Sequence, residues 1–370
     1  MSKFWNKKTQ EITPYVAGEQ PKNMNRLIKL NTNENPYGPS PKAAKVLKDF
    51  NPDDLRLYPD TNSTLVREAV ASIYKDFGIT AENVFVGNGS DEVLAICWQT
   101  FFERESICNK KVLSPNISYS FYPVYSEMYE VGLEAIPLNE DFMINIEDYI
   151  GKDSCGIAIA NPNAPTSISM TSLENIERIL KANSDKVVII DEAYIAFTKN
   201  PLTAVELVKK YKNLVVVQTM SKAYGLAGAR VGYAVADEEL IEGMRRIRDS
   251  FNSYPVDRIA EKMASEALLD QEYYNQTRNA IINTRERFVS EISEIGFKVL
   301  PSSANFIFAK PDFMDAGSLY QKLREKGIIV RYFNKKIIGD YLRITIGTDA
   351  DMDECIEAMK EIKDGQNSIN

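Results

Sequence analysis

Lys222 lies within Thr219-Met220-Ser221-Lys222-Ala223-Tyr224-Gly225-Leu226-Ala227-Gly228-Ala229-Arg230, behind the apolar run Leu214 to Val217. The run reads as a buried strand. A lysine just past such a strand's C-terminal end stands where open α/β sheets place their ligands. Its amine can condense with a carbonyl to form an imine. Arg230, eight residues on, offers a planar cation suited to phosphate. Gly225, Ala227, Gly228 and Ala229 let backbone approach a ligand closely.

Asp191 has a matching position, directly after the apolar strand signal Val187 to Ile190. A carboxylate there suits a protonated ring nitrogen; at about 4 Å such a pair gains on the order of 4 kcal/mol at an effective dielectric near 20. Glu192 beside it reads as structural. An imine-forming lysine, a phosphate-binding arginine and an acid for a ring nitrogen together point to pyridoxal 5'-phosphate (PLP). Two candidates exist for a contact to the ring's phenolic oxygen: Asn163, in Asn161-Pro162-Asn163-Ala164-Pro165-Thr166-Ser167, and Tyr194. The segment Ser114 to Tyr122 presents Tyr119 as an aromatic face for a flat ring. Gly87-Asn88-Gly89-Ser90-Asp91-Glu92 joins a short strand to a helix, with Ser90 as the expected N-cap. Such a helix start binds phosphate through free N–H groups. Arg331 and Arg343 each fall on a strand signal, and an arginine in an apolar strand needs an anion.

Composition narrows the chemistry. The 370 residues contain no histidine, which removes Ser-His-Asp and Cys-His catalysis and histidine-ligated metals. The four cysteines are scattered, so neither a zinc cluster nor a disulfide framework is expected, and no metal is assigned. The net charge of −8 argues against nucleic acid or an anionic membrane as partner. No apolar stretch approaches the roughly 18 residues that span a bilayer. Met1 to Gln10 lacks a secretory apolar core, so a cytoplasmic location is expected.

These residues need a scaffold of strand tips. Strand-like runs recur at 83–86, 111–114, 156–160, 187–190, 214–217 and 232–236, with helical stretches between several of them, such as 172–182 and 202–211. That alternation predicts a mostly parallel sheet covered by helices. Residues 1–29 read as a polar arm, followed by the amide-rich loop 30–39. After Tyr254-Pro255 the pattern becomes a long helical region, 257–295, then strands at 305–309, 328–332 and 341–346 with helices at 316–326 and 352–363. The last residues, 365–370, read as frayed. The expected domains are 1–44 (arm and part of a small domain), 45–254 (large) and 255–370 (small, α+β).

Asp191-Glu192-Ala193-Tyr194, Ser221-Lys222-Ala223-Tyr224-Gly225-Leu226-Ala227-Gly228-Ala229-Arg230 and Leu342-Arg343-Ile344-Thr345, in this order, resemble the fold-type I PLP-dependent aminotransferases of the class-II family. Within that group the chain resembles the histidinol-phosphate aminotransferases, from Ile12-Thr13-Pro14-Tyr15 to Gly347. The resemblance implies a mixed, mostly parallel seven-stranded sheet between helices. It implies that Lys222 binds PLP covalently, that Asp191 pairs with the ring nitrogen, and that Tyr194 bonds the ring oxygen. Tyr119 would stack on the ring. The phosphate would be held around Gly89, Ser90, Asp91, Thr219, Ser221 and Arg230, with Tyr58 reaching it from the partner of a homodimer. Tyr15, Asn33, Arg331 and Arg343 would meet the substrate. The implied substrates are small anionic amines and keto acids, with L-histidinol phosphate and 2-oxoglutarate foremost. Two positions depart from the family's usual Asn-Pro-Asn-Asn-Pro-Thr-Gly: Ala164 and Ser167. Rival readings within the fold are an aromatic-amino-acid aminotransferase and a threonine-phosphate decarboxylase. A non-catalytic PLP-binding regulator is disfavoured, because no basic helix-turn-helix segment precedes residue 30. A nucleotide-binding dehydrogenase is disfavoured because no Gly-x-Gly-x-x-Gly follows a first strand.

Overall fold

A computed structural model describes residues 2–15, 18–20, 27–170 and 172–367. Its centre is a seven-stranded sheet in the spatial order Val84–Gly87, Gly232–Ala236, Leu214–Thr219, Val188–Asp191, Gly156–Ala160, Lys111–Pro115 and Gly132–Ile136. All neighbours run parallel except Gly232–Ala236, which is antiparallel to both of its partners. The mixed, mostly parallel α/β architecture expected from the alternating runs is therefore present. The central strands are apolar up to their C-terminal tips for a simple reason. Val188, Ile190, Leu214 and Val216 point into one apolar layer. Ile189, Val215 and Val217 point into the other, which also holds Trp98 and Tyr122. A strand covered by helices on both faces has no polar side to show.

Parallel strands end together, so their C-terminal tips form one rim. Asp191 closes its strand, Thr219 closes the next, and Gly87 closes the strand before the helix Ser90–Phe101. A second sheet, antiparallel, has the order Arg331–Tyr332, Leu342–Thr345, Phe306–Pro311, Phe297–Val299. It packs with the helices Gln271–Ile295, Ala316–Glu325 and Asp349–Asn367 around Phe288, Ile307, Leu319 and Met359. Ile28–Lys29 pairs in parallel with Ile328–Ile329, which stitches the N-terminal segment to this layer.

Several elements differ from expectation. The strand signal 328–332 is split at Val330: its first half pairs with Ile28–Lys29 and its second with Leu342–Thr345. The helical region 257–295 is two helices, Arg258–Leu269 and Gln271–Ile295, broken at Asp270. The expected helix over 202–211 is only the 3-10 turn Ala204–Leu207. There the buried carboxylate of Glu192 accepts bonds from Thr203 Oγ1 and the Ala204 N–H, holding the chain in a turn. Within the arm, Lys7–Glu11 is a short helix, while residues 16, 17 and 21–26 lie outside the described residues. At the other end the chain stays helical to Asn367; residues 368–370 of the expected frayed tail also lie outside. Among the described residues no helix is long and apolar enough to cross a membrane.

Candidate active site

A cavity of about 810 Å³ opens at the strand tips, between the large sheet and the second sheet. Its wall includes Tyr15, Asn33, Ser90, Asp91, Tyr119 and Asp191. Tyr194, Thr219, Ser221, Lys222, Arg230, Arg331 and Arg343 complete the sequence-predicted set that it brings together. Gly89, Asn163 and Tyr58 are outside the lining.

Lys222 follows the strand Leu214–Thr219, and its Nζ donates to the Thr32 carbonyl at 3.2 Å. Burial, then the Arg343 cation, bring its amine down to about 8. Asp191 is 5% exposed. Its Oδ2 accepts from Tyr122 Oη at 3.1 Å and its Oδ1 from the Ala193 N–H at 3.1 Å. Burial pushes its carboxyl up to about 6. A carboxylate at this depth is costly alone and is stabilised by a cation brought against it.

The helix Ser90–Phe101 starts at the cavity. Its cap is Gly89, not the expected Ser90, because the cap backbone takes φ 85° and ψ 161°, a region open to glycine. A Cβ on Gly89 would lie 2.4 Å from Arg230 Nη2. No side chain caps this helix, so its first N–H groups serve the cavity. Arg230 Nη2 bridges to Asp91 Oδ2 at 3.0 Å, and Tyr119 Oη donates to Asp91 Oδ1 at 2.5 Å. The acid therefore orients both the cation and the ring beside the helix start.

Of the two candidates for the ring oxygen, Tyr194 lines the cavity and Asn163 does not. Asn163 Nδ2 donates to the Ile117 carbonyl and to Thr166 Oγ1, while its Oδ1 accepts from Ser118. Its amide is spent inside the turn, and Ala164 occupies the wall instead. Asn33, expected at the substrate, donates through Nδ2 to Tyr194 Oη at 2.9 Å and accepts at Oδ1 from Thr345 Oγ1. Burial raises the Tyr194 hydroxyl above its ordinary value. Tyr58 is 76% exposed and stacks on Tyr254, with centroids 4.6 Å apart.

The wall formed by Arg331 and Arg343 is cationic. Arg343 Nη2 donates to the Asn31 carbonyl at 2.7 Å, while its Nε is buried with no partner. Tyr15 stacks on Phe121 at 4.2 Å. The sequence reading missed Tyr122, Thr32 and Asn35. Tyr122 is a plain core aromatic in sequence; only its hydroxyl, reaching Asp191, distinguishes it.

This set fits the cofactor implied by the resemblance. It offers an amine brought down to about 8, a buried acid for a ring nitrogen, and a helix start with an arginine for phosphate. Gly89 leaves the clearance that the arginine requires.

The family model for aminotransferase class I and II matches residues 25–359. This chain belongs to the class I and II aminotransferases. A curated histidinol-phosphate aminotransferase from Clostridium botulinum is 48% identical over 362 residues, covering 98% of this chain and 99% of that relative. The Pseudomonas syringae histidinol-phosphate aminotransferase is 49% identical over 362 residues, covering 98% of this chain and 100% of its own. A solved histidinol-phosphate aminotransferase from Sinorhizobium meliloti, in complex with pyridoxal-5'-phosphate, superposes with TM-score 0.85 at 23% identity, covering 99% of each chain. That last likeness bears on the fold. As an aminotransferase, the chain acts on amino and keto acid substrates.

Proposed function

We propose that this aminotransferase carries PLP and moves the amino group of L-histidinol phosphate to 2-oxoglutarate, giving imidazole acetol phosphate and glutamate, as a step of histidine biosynthesis. The carrying observation is one cavity that holds a depressed lysine amine, a buried acid and an arginine wall with an unmet donor. The near-full-length relatives of that name, at close to half identity, favour this substrate over the aromatic and decarboxylase readings.

When bound, PLP supplies a reactive aldehyde and an electron-withdrawing ring. Asp191 would pair with the ring nitrogen and keep it protonated. Arg230, Ser221, Thr219 and the first N–H groups of the helix Ser90–Phe101 hold the phosphate by charge-assisted bonds of about 1.5 to 3 kcal/mol each. That anchor keeps the cofactor in place whenever the lysine is not attached. Tyr119 would stack on the ring and Tyr194 would bond its oxygen. The Lys222 amine, at about 8 and so uncharged in a minority of molecules at neutral pH, would take the proton from the substrate's amine-bearing carbon and deliver it to the cofactor's aldehyde carbon. Arg331, Arg343 and Tyr15 bind the phosphate of the amine donor, then a carboxylate of 2-oxoglutarate. The two substrates thus use one site in turn, in two half-reactions.

The domain division 1–44, 45–254 and 255–370 belongs to this proposal; the apolar cluster under the second sheet supports a small unit, while the helix Arg258–Leu269 packs Ala260, Ala264 and Leu268 into the core of the large sheet. A homodimer with a shared site is supported by Tyr58, which faces away from its own cavity, and by the exposed Leu57, Phe251 and Tyr254 nearby. A reducing, cytoplasmic setting suits four free cysteines.

The test is a single half-reaction. PLP-loaded enzyme is mixed with histidinol phosphate alone, and the cofactor's visible spectrum is followed by stopped flow. Conversion to the amine form, reversed by 2-oxoglutarate with glutamate as product, is expected. Release of carbon dioxide, or turnover only with aromatic amino acids, would overturn the assignment.

A further inference from the structure

Arg331 and Arg343 are direct partners across the antiparallel strands Arg331–Tyr332 and Leu342–Thr345. Like charges placed opposite each other on a sheet repel. Among the described residues neither arginine has a carboxylate partner, although most of the chain's other arginines do. What stands beside both is a ring. The centroid of Phe333 is 5.3 Å from Arg331 Cζ and 5.5 Å from Arg343 Cζ. Arg343 has a second ring, Phe306, at 5.4 Å. A guanidinium within about 6 Å of a centroid is attracted by the ring's quadrupole.

The two ways of holding a cation differ in what they leave open. A carboxylate occupies the N–H fork of a guanidinium, and a substrate anion must then displace it. An aromatic ring attracts the cation while using none of its N–H donors. Phe333 is itself fixed, since it lines the cavity and packs against the apolar cluster of Ile117, Leu300, Phe308 and Ile338. Its neighbour Tyr341 stacks on Phe308 at 4.7 Å, which ties both ends of the connecting loop to the same cluster.

We propose that Phe333 is a positioning residue for the substrate anion: its ring holds the Arg331 and Arg343 guanidiniums side by side in the cavity wall without engaging their donors, so that, the Asn31 carbonyl apart, these face no competing acceptor and can meet a phosphate. This rests on the reading above, in which these two arginines bind the donor's phosphate.

The experiment uses the PLP-loaded enzyme with histidinol phosphate and compares Phe333→Leu, which keeps apolar bulk, with Phe333→Tyr, which keeps the ring. Phe333→Leu should raise KM roughly tenfold, the factor corresponding to about 1.4 kcal/mol, with kcat little changed. Phe333→Tyr should return KM close to the wild-type value. A purely structural role predicts no such split, and melting temperatures of both variants should stay near wild type. Unchanged KM in Phe333→Leu, or equal rises in both variants, overturns the inference. If Phe333→Leu does not fold, Phe333→Met is read by the same criteria. Arg331→Ala separates the two levels. A rise in KM there with none in Phe333→Leu sinks the role of Phe333 alone, whereas no rise in Arg331→Ala sinks the phosphate-clamp reading.

Discussion

Lys222 donates from Nζ to the carbonyl of Thr32 across 3.2 Å, 190 residues away in sequence. The same loop closes on the lysine's own backbone: Asn35 Nδ2 donates to the Lys222 carbonyl at 3.0 Å and to that of Ala223 at 3.1 Å. Gly225 lets it come so near, since a Cβ there would lie 2.9 Å from the Tyr37 carbonyl, and its φ is 66°. The amine is thus positioned at both ends by the amide-rich loop. Burial keeps it near 8, where neutral pH leaves a reactive fraction uncharged.

Replacing Lys222 by alanine should abolish transamination and covalent attachment of PLP. Borohydride reduction followed by mass spectrometry would find the cofactor on a peptide containing Lys222 in the wild type and on none in the variant. Turnover persisting at the wild-type rate in Lys222→Ala would rule the lysine out. Asn35→Ala leaves the amine in place but frees its backbone, so a smaller loss in kcat is expected, of about tenfold.

Asp191 makes a prediction about stability. Its folded value, about 6, lies above the ordinary carboxylate value of 3.8. Folding therefore favours the protonated form. The associated stability is present at low pH and is lost as pH rises through about 6. Cofactor-free Asp191→Asn has no charge to bury, and asparagine can still accept from Tyr122. The variant should gain on the wild type between pH 4 and 6.5, by about 2 kcal/mol from the linkage relation, with the difference levelling off above that, measured by urea unfolding. The neighbouring Glu192, pushed up to about 7 chiefly by burial, is raised in part by the Asp191 charge, so the variant also relieves that repulsion, which adds to its gain. With PLP bound the order should reverse, because the ring's positive charge then needs the acid. A flat difference across this pH range in the cofactor-free protein would contradict the assignment.

Much of this site was legible because its residues stand at strand tips. A continuous apolar run followed by a single charged residue marks both Asp191 and Lys222, and a parallel sheet brings such tips to one rim. The expectations that depended on one residue's local conformation were less secure. Ser90 looks like a cap, but the left-handed backbone of Gly89 takes the cap position. Asn163 looks like a cofactor contact, but its turn consumes the amide. Tyr122 and Phe333 were invisible for another reason: Tyr122 meets Asp191 only through the packing of a distant segment, and Phe333 meets Arg343 only through the pairing of two short strands. The two-residue strands Ile328–Ile329 and Arg331–Tyr332 are too short for a period, and only their different partners separate them.

The Asn33–Tyr194 bond at 2.9 Å places a loop amide behind the tyrosine hydroxyl. Asn33 is held there by Thr345 and by Asn305, whose Nδ2 donates to the Asn33 carbonyl at 3.0 Å. Asn33 should therefore act through Tyr194. In a double-mutant cycle, Tyr194→Phe and Asn33→Ala should each lower kcat/KM, and the double variant should be little worse than the poorer single one. The coupling should reach about 1 kcal/mol. Full additivity would show that Asn33 acts on the substrate by itself.

Tyr58 gives the clearest test of a shared site. Its backbone is held in place, since Arg258 donates from Nη2 to the Tyr58 carbonyl at 2.7 Å, yet its side chain faces outward with Tyr254. A fixed backbone carrying an exposed ring is suited to reach a neighbour. Tyr58→Ala should leave the fold intact and weaken PLP retention, and sedimentation should give twice the chain mass for the wild type. Mixing inactive Lys222→Ala with the Tyr58→Ala variant then discriminates. If Tyr58 completes the other subunit's cavity, each mixed dimer has one site with both defects and one with neither. Activity should rise on mixing and subunit exchange, toward about a quarter of the wild-type level per subunit for equal random exchange. If Tyr58 instead serves its own chain, every site keeps a defect and mixing yields no more than the sum of the two preparations.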